Sequence, residues 1–378
     1  MNFEFSEDSL TLRDQARGFF RDNCGSKVVR HVQEGNEAYA VALWRKMADM
    51  GWLGAAIPER FGGAGLGYEL LCVIAEEIGR VIAPVPFASS IYLAAEVILA
   101  TGTDTQKQNF LPSLVDGSRI GTFALEEGLG RPDAGAVRAC ASGGVLTGEK
   151  WPVPDGSIAD FAVVAARDDF GIGLYYVDLV QPAVERQTLP SLDLSRGQSR
   201  ILLRGAHGER LGGSEDQWPA VQQVFERAAI LMAFEQVGGA EACLYMARDY
   251  AMERIVFGRP VASFQAIKHK LADIYVEVEI ARSNAYFGAW ALSEDRPELP
   301  LAACVARIAA IEAFRLAAKE NIQIHGGVGF TWEFDCHLFY RRAKVLALTL
   351  GSTPFWMKRL VNRLEAPTAS RRENTIGL

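Results

Sequence analysis

Three long segments with the hydrophobic spacing of helices fill most of the second half of this chain, at about residues 218–250, 261–293 and 300–324. Helices of about 30 residues are long for an ordinary globular domain and are typical of helix bundles. Two shorter helical segments follow near residues 335–346 and 353–363. The pattern therefore predicts a C-terminal four-helix bundle over residues 216–378.

The first part of the chain divides into two regions with different hydrophobic periods. Residues 1–118 have helical spacing, and Ser6 is a predicted N-cap for the first helix. Further helices are predicted at residues 37–50, 68–82, 90–100 and 103–114. From about Ile120 short β-rich runs alternate with Gly, Pro and Asp, which predicts a small antiparallel β-barrel or sandwich over residues 119–215. The expected fold is mainly α with a β middle domain.

Composition excludes several classes of protein. The chain has 378 residues, 49% of them hydrophobic, which is enough for a large core. Its formal net charge of −7 gives no basic field for nucleic acid. No leader-like N-terminus and no apolar run of about 18 residues occur, so we expect a cytoplasmic protein without a membrane span. The six cysteines are scattered, without a CxxC pair or a His/Cys cluster, so we expect no metal site.

Two separated motifs stand at the ends of the long helical segments. The first contains Arg-x-x-Phe-Gly at residues 254–258 and a Phe-Gln pair at residues 264–265. The second is a Gln-x-x-Gly-Gly turn at residues 323–327. In this order, on long apolar helices, the motifs resemble the flavin-binding segments of the acyl-CoA dehydrogenase family. The order of helices, small β-domain and bundle is also that family's architecture, so the resemblance covers nearly the whole chain.

The resemblance implies FAD as the cofactor and assigns its ADP half to one set of residues, namely Arg254, Phe257, Phe264, Gln265, Gln323, Gly326 and Gly327. A pyrophosphate needs a guanidinium and amide donors, and glycines let the backbone approach a phosphate closely. Other interpretations stay open. An arginine at a helix end often complements the helix dipole or forms a surface ion pair, and a Gly-Gly pair is often a helix C-cap.

The catalytic base of the family has no match in this chain. A base must remove the substrate's α-proton, and a carboxylate in an apolar pocket suits that task. In most members the catalytic glutamate stands just before a Gly-Ser/Thr pair, and this position falls on Leu350 here. The family's second position for the base falls on Ala228, by counting back from Arg254. Glu226 and Glu235 are weak catalytic candidates on the same helix. Both could instead be solvated or interface carboxylates.

The segments that resemble the flavin-ring site are altered as well. Residues 148–156 resemble a Gly-x-Lys-x-Trp-Ile-Thr-Asn-Gly segment, whose Trp packs on the flavin and whose Thr hydrogen-bonds near N5. Pro152 and Pro154 stand in those two places, and proline neither stacks like an indole nor donates a backbone hydrogen bond. The family's Thr-Glu-Pro-Gly-x-Gly-Ser-Asp stretch is likewise changed, at residues 125–133.

Three hypotheses follow for a family whose nominal reaction is α,β-desaturation of an acyl-CoA thioester, with electrons passing to an electron-transfer flavoprotein or similar acceptor. In the first, the chain is the partner subunit of a heteromeric acyl-CoA dehydrogenase, as in bacterial enzymes that act on bulky acyl-CoAs such as steroid side chains. In the second, it is a self-sufficient dehydrogenase with an unrecognised carboxylate. In the third, it is a chemically divergent or non-catalytic binder of acyl-CoA or FAD. The family implies a homo- or hetero-tetramer.

Overall fold

The computed structural model describes Phe5, residues 7–129 and residues 132–365, and the predicted N-cap at Ser6 lies outside them. The N-terminal part is helical, as the sequence predicts. Its α-helices are α1 (Glu7–Asn23), α2 (Ser26–Gln33), α3 (Val41–Asp49), α4 (Tyr68–Arg80), α5 (Glu96–Thr101) and α6 (Asp104–Val115). A π-helix, Ala88–Ala95, leads directly into α5.

The boundaries of these helices follow local signals in part. Thr103 and Gln106 form a capping box at the start of α6, in agreement with the predicted start at residue 103. The short helix α2 was not predicted, since eight residues give too few turns for a clear hydrophobic period. Helix α3 begins at Val41 rather than at residue 37, because Ala40 has a non-helical backbone with ψ of 85°.

The middle region forms one eight-stranded sheet in the order β6-β7-β3-β2-β4-β5-β8, with β1 paired to β4. Its strands are β1 (Gly121–Ala124), β2 (Cys140–Ser142), β3 (Val145–Pro154), β4 (Phe161–Asp168), β5 (Gly171–Asp178), β6 (Val184–Leu189), β7 (Gln198–His207) and β8 (Glu209–Arg210). Most pairs are antiparallel, as predicted, but β4 pairs in parallel with both β1 and β2. Hydrophobic side chains of β4 and β7 form a separate small core on this sheet.

The C-terminal part contains α7 (Trp218–Glu253), α8 (Gln265–Ser293), α9 (Leu299–His325), α10 (Cys336–Leu346) and α11 (Thr353–Glu365). A two-stranded hairpin, β9 (Ile255–Val256) and β10 (Arg259–Pro260), joins α7 to α8. Helix α7 also packs closely on α4. A Cβ atom added to Gly79 would collide with the carbonyl oxygen of Glu235, and one added to Gly238 would collide with that of Glu76. The N-terminal helices and the bundle therefore share one core.

Two searches of the described residues give negative results. None of the helices in these ranges combines the length and apolar character needed to cross a bilayer. Within the same part of the chain, no three His, Cys, Asp or Glu side chains are grouped so that they could hold a metal ion.

Candidate functional site

The structure brings the two motifs of the bundle together. Helices α7 and α9 end at the same end of the bundle, where α8 begins, and the ring of Tyr250 stacks on the imidazole of His325 with centroids 4.1 Å apart. An ion pair between Lys270 and Glu320 joins α8 to α9 near this end. The seven predicted ADP-contact residues therefore lie at the same end of the bundle, although almost the whole of α8 and α9 separates the two motifs in the chain.

Arg254 is the C-cap of α7, and its side chain is exposed. Its carbonyl oxygen accepts a hydrogen bond of 2.8 Å from the amide of Val261, which closes the hairpin between α7 and α8. Among the described residues, its guanidinium has no hydrogen-bond or ion-pair partner. The surface ion pair considered above is therefore not formed in the described structure, and the charge is free for an external anion.

Phe257 occupies the tip of this hairpin. It and Gly258 have positive φ values of 52° and 77°, the pattern of a type I′ turn. Such a backbone is costly for a residue with a bulky side chain, and the ring of Phe257 is 93% exposed. Strain and exposure together are typical of a residue that contacts something outside its own chain.

Phe264 and Gln265 stand where α8 begins. The guanidinium of Arg259 lies 4.0 Å from the centroid of the Phe264 ring, which fixes that ring beside the hairpin. The Gln265 side chain is exposed and its Nε2 lies 2.9 Å from Nε2 of His269. The Gln265 amide and the Arg259–Phe264 cation–π pair therefore lie at the same end of the bundle as Arg254.

Gln323, Gly326 and Gly327 complete this surface at the end of α9, and all three are exposed. Gly326 has φ of 66° and is the C-cap of α9, as the alternative interpretation of the Gly-Gly pair expects. A Cβ atom added to Gly327 would meet no other atom within 4 Å. Packing within this chain therefore does not require glycine at 327, whereas close approach of a ligand would. The surface fits the phosphate and ribose groups of a dinucleotide.

The two positions expected for a base carry apolar side chains. Leu350 is buried and has φ of 62°, and Ala228 is fully buried in the bundle core. Glu226 and Glu235 are buried too, so neither carboxylate is solvated in the described structure. Glu226 forms ion pairs with Arg359 and Arg363. Glu235 forms ion pairs with Arg196 and Arg342. Each carboxylate is thus held by two arginines.

The two altered ring-site segments lie side by side. The amide of Trp151 donates to the carbonyl oxygen of Glu126 at 2.8 Å, and the amide of Gly128 donates to that of Trp151 at 2.7 Å. The guanidinium of Arg200 lies 5.4 Å from the Trp151 ring centroid, on a face of the indole. Pro152 and Pro154 supply neither the indole nor the hydroxyl donor that the resemblance places at these two positions. Positions 152 and 154 thus lack the family's ring contacts, whereas the seven residues that the resemblance assigns to the ADP half are all present.

One acidic residue in this cleft was missed by the sequence analysis. Burial raises the pKa of Glu126 to about 7, and its carboxylate has no partner among the described residues. It borders a small cavity with Glu127 and Asp133. Its position directly after the buried strand β1 was the available signal, since a strand end is where polar side chains enter a cleft.

A buried ion network was missed as well. It consists of Ser89, Asp155, Asp193, Arg196, Glu235 and Arg342. These residues come from the π-helix, the sheet region, α7 and α10, and no sequence pattern links them. Packing between these elements alone brings the charges together.

Comparisons with known proteins agree with this architecture. Residues 6–118 match the family model described as acyl-CoA dehydrogenase, N-terminal domain, and residues 217–364 match acyl-CoA dehydrogenase, C-terminal domain. Acyl-CoA dehydrogenase IpdE2 of Mycobacterium tuberculosis is 31% identical over 365 residues, which cover 96% of this chain and 99% of that protein.

Two solved structures are similar over nearly the whole chain. The ChsE4-ChsE5 complex from Mycobacterium tuberculosis matches with a TM-score of 0.89 at 29% identity, covering 97% of this chain and 100% of that one. A variant of the Tcur3481-Tcur3483 steroid ACAD matches with a TM-score of 0.85 at 33% identity, covering 95% of this chain and 98% of that one.

Proposed function

Because this chain belongs to the acyl-CoA dehydrogenase family, we propose that it is the partner subunit of a heteromeric acyl-CoA dehydrogenase. The family's members are oxidoreductases that act on CH–CH groups, and FAD is the cofactor that the family and its FAD-dependent structural neighbours indicate. In this proposal the chain supplies the ADP-end contacts for FAD. The flavin ring and the catalytic base belong to the other subunit.

The observation that carries the proposal is the absence of a usable carboxylate at either base position. Leu350 and Ala228 cannot accept a proton, and the nearby Glu226 and Glu235 each form ion pairs with two arginines. Freeing Glu235 would leave the buried Arg196 and Arg342 without this counter-charge, which is strongly destabilising, and Glu226 would have to give up its ion pairs with Arg359 and Arg363. Neither is therefore a good candidate for the base that desaturation requires.

The exposed surface at the end of the bundle supports a role in cofactor binding across a subunit interface. Arg254 would pair with a phosphate, Gln265 and Gln323 would hydrogen-bond the nucleotide, and Gly326 and Gly327 would allow close approach. Phe257 would pack against the other subunit. When bound, FAD supplies the hydride acceptor for desaturation.

Assembly with a second, related chain follows from the same reasoning. One similar structure is named as a complex, ChsE4-ChsE5, and another carries a paired name, Tcur3481-Tcur3483. By analogy, we propose a hetero-tetramer that oxidises an acyl-CoA and passes electrons to an electron-transfer flavoprotein or similar acceptor. A steroid-side-chain acyl-CoA is the substrate class that the second of these names favours.

A self-sufficient dehydrogenase is a second candidate, favoured by one observation. Glu126 is a largely buried carboxylate without a partner among the described residues, and burial raises its pKa to about 7. A base is most effective when its pKa is near the working pH. Glu126 rather than Glu226 or Glu235 is therefore the residue to test if the chain alone proves active.

The experiment is to purify the chain alone and together with the paralogue encoded beside it, and to measure FAD per protomer and acyl-CoA-dependent reduction of ferrocenium. The partner-subunit proposal expects flavin and turnover only in the co-purified complex. A homo-oligomer with one FAD per protomer and brisk turnover would overturn it, and Glu126→Gln would then test the second candidate.

A further inference from the structure

A cleft lies among the N-terminal helices, between the end of α1, helix α2, the loop that follows α2, and helix α3. Its volume is about 330 Å³, within the range of about 300–1,000 Å³ that is usual for pockets that hold small molecules. Its described lining contains none of the predicted ADP-contact residues. The cleft is therefore a feature separate from the proposed cofactor surface.

The floor of the cleft is apolar and belongs to the folded core. Leu43 and Ala40 are 3% and 4% exposed, and Val28 of α2 packs against the same hydrophobic cluster. The amide of Ala40 donates a hydrogen bond of 2.8 Å to the carbonyl oxygen of Pro84, which holds the start of α3 against the segment after α4. The floor is thus fixed by packing and by a backbone contact to a distant part of the chain.

Charged side chains stand at the rim of the cleft, and the chain does not neutralise them. The exposed members are Lys27, His31, Glu37 and Lys46. Nζ of Lys46 donates a hydrogen bond of 2.6 Å to Oδ1 of Asn23, which is a neutral group. Among the described residues, the side chains of the other three have no hydrogen-bond or ion-pair partner. With the histidine neutral, two lysines and one glutamate leave a single excess positive charge at the rim.

This combination fits a monocarboxylate that carries an alkyl chain. An ammonium group is a compact charge with three donors, and it can pair with a carboxylate oxygen. An alkyl chain on the floor would remove apolar surface from water. Glu37 would repel a ligand with two negative charges, and a cation would meet two ammonium groups. At about 30 Å³ per water molecule, the cleft has room for about eleven waters, or for a ligand of roughly ten non-hydrogen atoms.

We propose that the cleft between α1, α2 and α3 binds a medium-chain monocarboxylate. Lys27 and Lys46 hold the carboxylate, and the alkyl chain lies on Val28, Ala40 and Leu43. The site needs neither FAD nor a second subunit, so it is present in the isolated full-length chain. The proposal does not depend on the partner-subunit function.

Calorimetric titration of the full-length wild-type chain with sodium octanoate tests the proposal. We expect saturable binding of one octanoate per chain. Octylammonium chloride has an eight-carbon chain and the opposite charge, and its affinity should be at least about tenfold lower because like charges repel at the rim. Both probes are used below the concentrations at which they form micelles. Absence of saturable octanoate binding, or equal affinity for the two probes, would overturn the proposal.

A pair of substitutions at Ala42 locates the site. Ala42 lines the cleft and is exposed in the first turn of α3, where an added carboxylate favours the helix dipole and should not unfold the chain. Ala42→Glu places a negative charge at the rim, and Ala42→Gln adds nearly the same bulk without charge. We expect Ala42→Glu to bind octanoate at least about threefold more weakly than Ala42→Gln. Equal affinities would show that the carboxylate does not bind at this rim.

Removal of both lysines tests their role. Lys27→Gln with Lys46→Gln should weaken octanoate binding by about 3- to 30-fold, the range expected for the loss of two exposed ion pairs. The matched control is Lys107→Gln with Lys319→Gln, which removes two positive charges elsewhere on the described chain and should bind octanoate as the wild type does. Unchanged affinity in the test variant would overturn the proposal. Equal weakening in the control would overturn it too, since net charge rather than this cleft would then attract octanoate.

Discussion

Tyr250 of α7 stacks on His325 of α9 with ring centroids 4.1 Å apart and an angle of 22° between the rings. The contact lies between the Arg-x-x-Phe-Gly motif and the Gln-x-x-Gly-Gly turn and fixes their relative position. Phe334 adds an edge-on contact to both rings. Aromatic packing in the interior thus aligns two surface motifs that are distant in the chain.

Loss of the Arg254 guanidinium should lower flavin occupancy. A charge-assisted contact to a phosphate is worth about 1.5–3 kcal/mol, so Arg254→Ala should weaken FAD binding by roughly 10- to 150-fold in the assembly that holds flavin. Gln323→Ala should act in the same direction. The measurement is the dissociation constant from flavin fluorescence. Arg248→Ala, at an exposed arginine of α7 paired with Asp249, is the control and should bind FAD normally. Unchanged affinity in both test variants would refute the ADP-end assignment.

Phe257 should matter for assembly rather than for folding of the chain. Its ring is 93% exposed, so Phe257→Ala should leave the melting temperature of the isolated chain within about 1 °C. The same change should weaken association with the other subunit, measured by native mass spectrometry over a dilution series. Phe257→Asn is an informative companion, because asparagine suits the positive φ of the turn but lacks the ring. Assembly by both variants at wild-type strength would remove Phe257 from the interface.

The chain by itself should desaturate acyl-CoA poorly. Without a general base, a loss of about 10²–10⁴-fold is expected. Leu350→Glu should not restore turnover in the isolated chain, because no flavin ring is expected beside position 350. Ferrocenium reduction with palmitoyl-CoA and a steroid acyl-CoA is the assay, and far-UV circular dichroism checks that the variant folds. Activity in the Leu350→Glu chain alone would mean that this subunit can bind a flavin ring.

Two buried histidines should each reduce the stability of the chain as the pH drops below neutrality, in the direction opposite to Glu126, whose raised pKa of about 7 favours the folded state at low pH. Burial lowers the pKa of His325 below its ordinary value of 6.5, and burial together with Arg341 and Arg30 does the same for His337. In each case the unfolded state binds the proton more readily, so stability is complete above about pH 6.5 and is lost as the pH falls toward the folded-state pKa.

Thermal melts at pH 7.5 and pH 5.5 test this expectation. Each histidine should lower the melting temperature at pH 5.5 relative to that at pH 7.5. His325→Gln and His337→Gln should each reduce the difference between the two melting temperatures, because each removes one group that takes up a proton on unfolding. His207→Gln, at an exposed histidine of β7, serves as the control. If both test variants retain the full wild-type difference, other groups cause the pH effect.

The sequence by itself determined the class of each region and the family. The helical spacing of residues 218–250, 261–293 and 300–324 corresponds to α7, α8 and α9, and the change to short β-rich runs after Ile120 corresponds to the sheet. These properties are visible because period and turn residues are local. The absence of a carboxylate at position 350 could also be seen in the sequence, since it depends only on the residue type at that position.

Only the tertiary structure decided how the charged residues are used. Glu235 belongs to α7, Arg196 to the loop before β7 and Arg342 to α10, and their ion pairs exist because three distant segments meet. Likewise, the burial that raises the pKa of Glu126 depends on packing between segments that are distant in the chain. Burial and charge pairing are properties of contacts between segments, so no local pattern in the chain carries them.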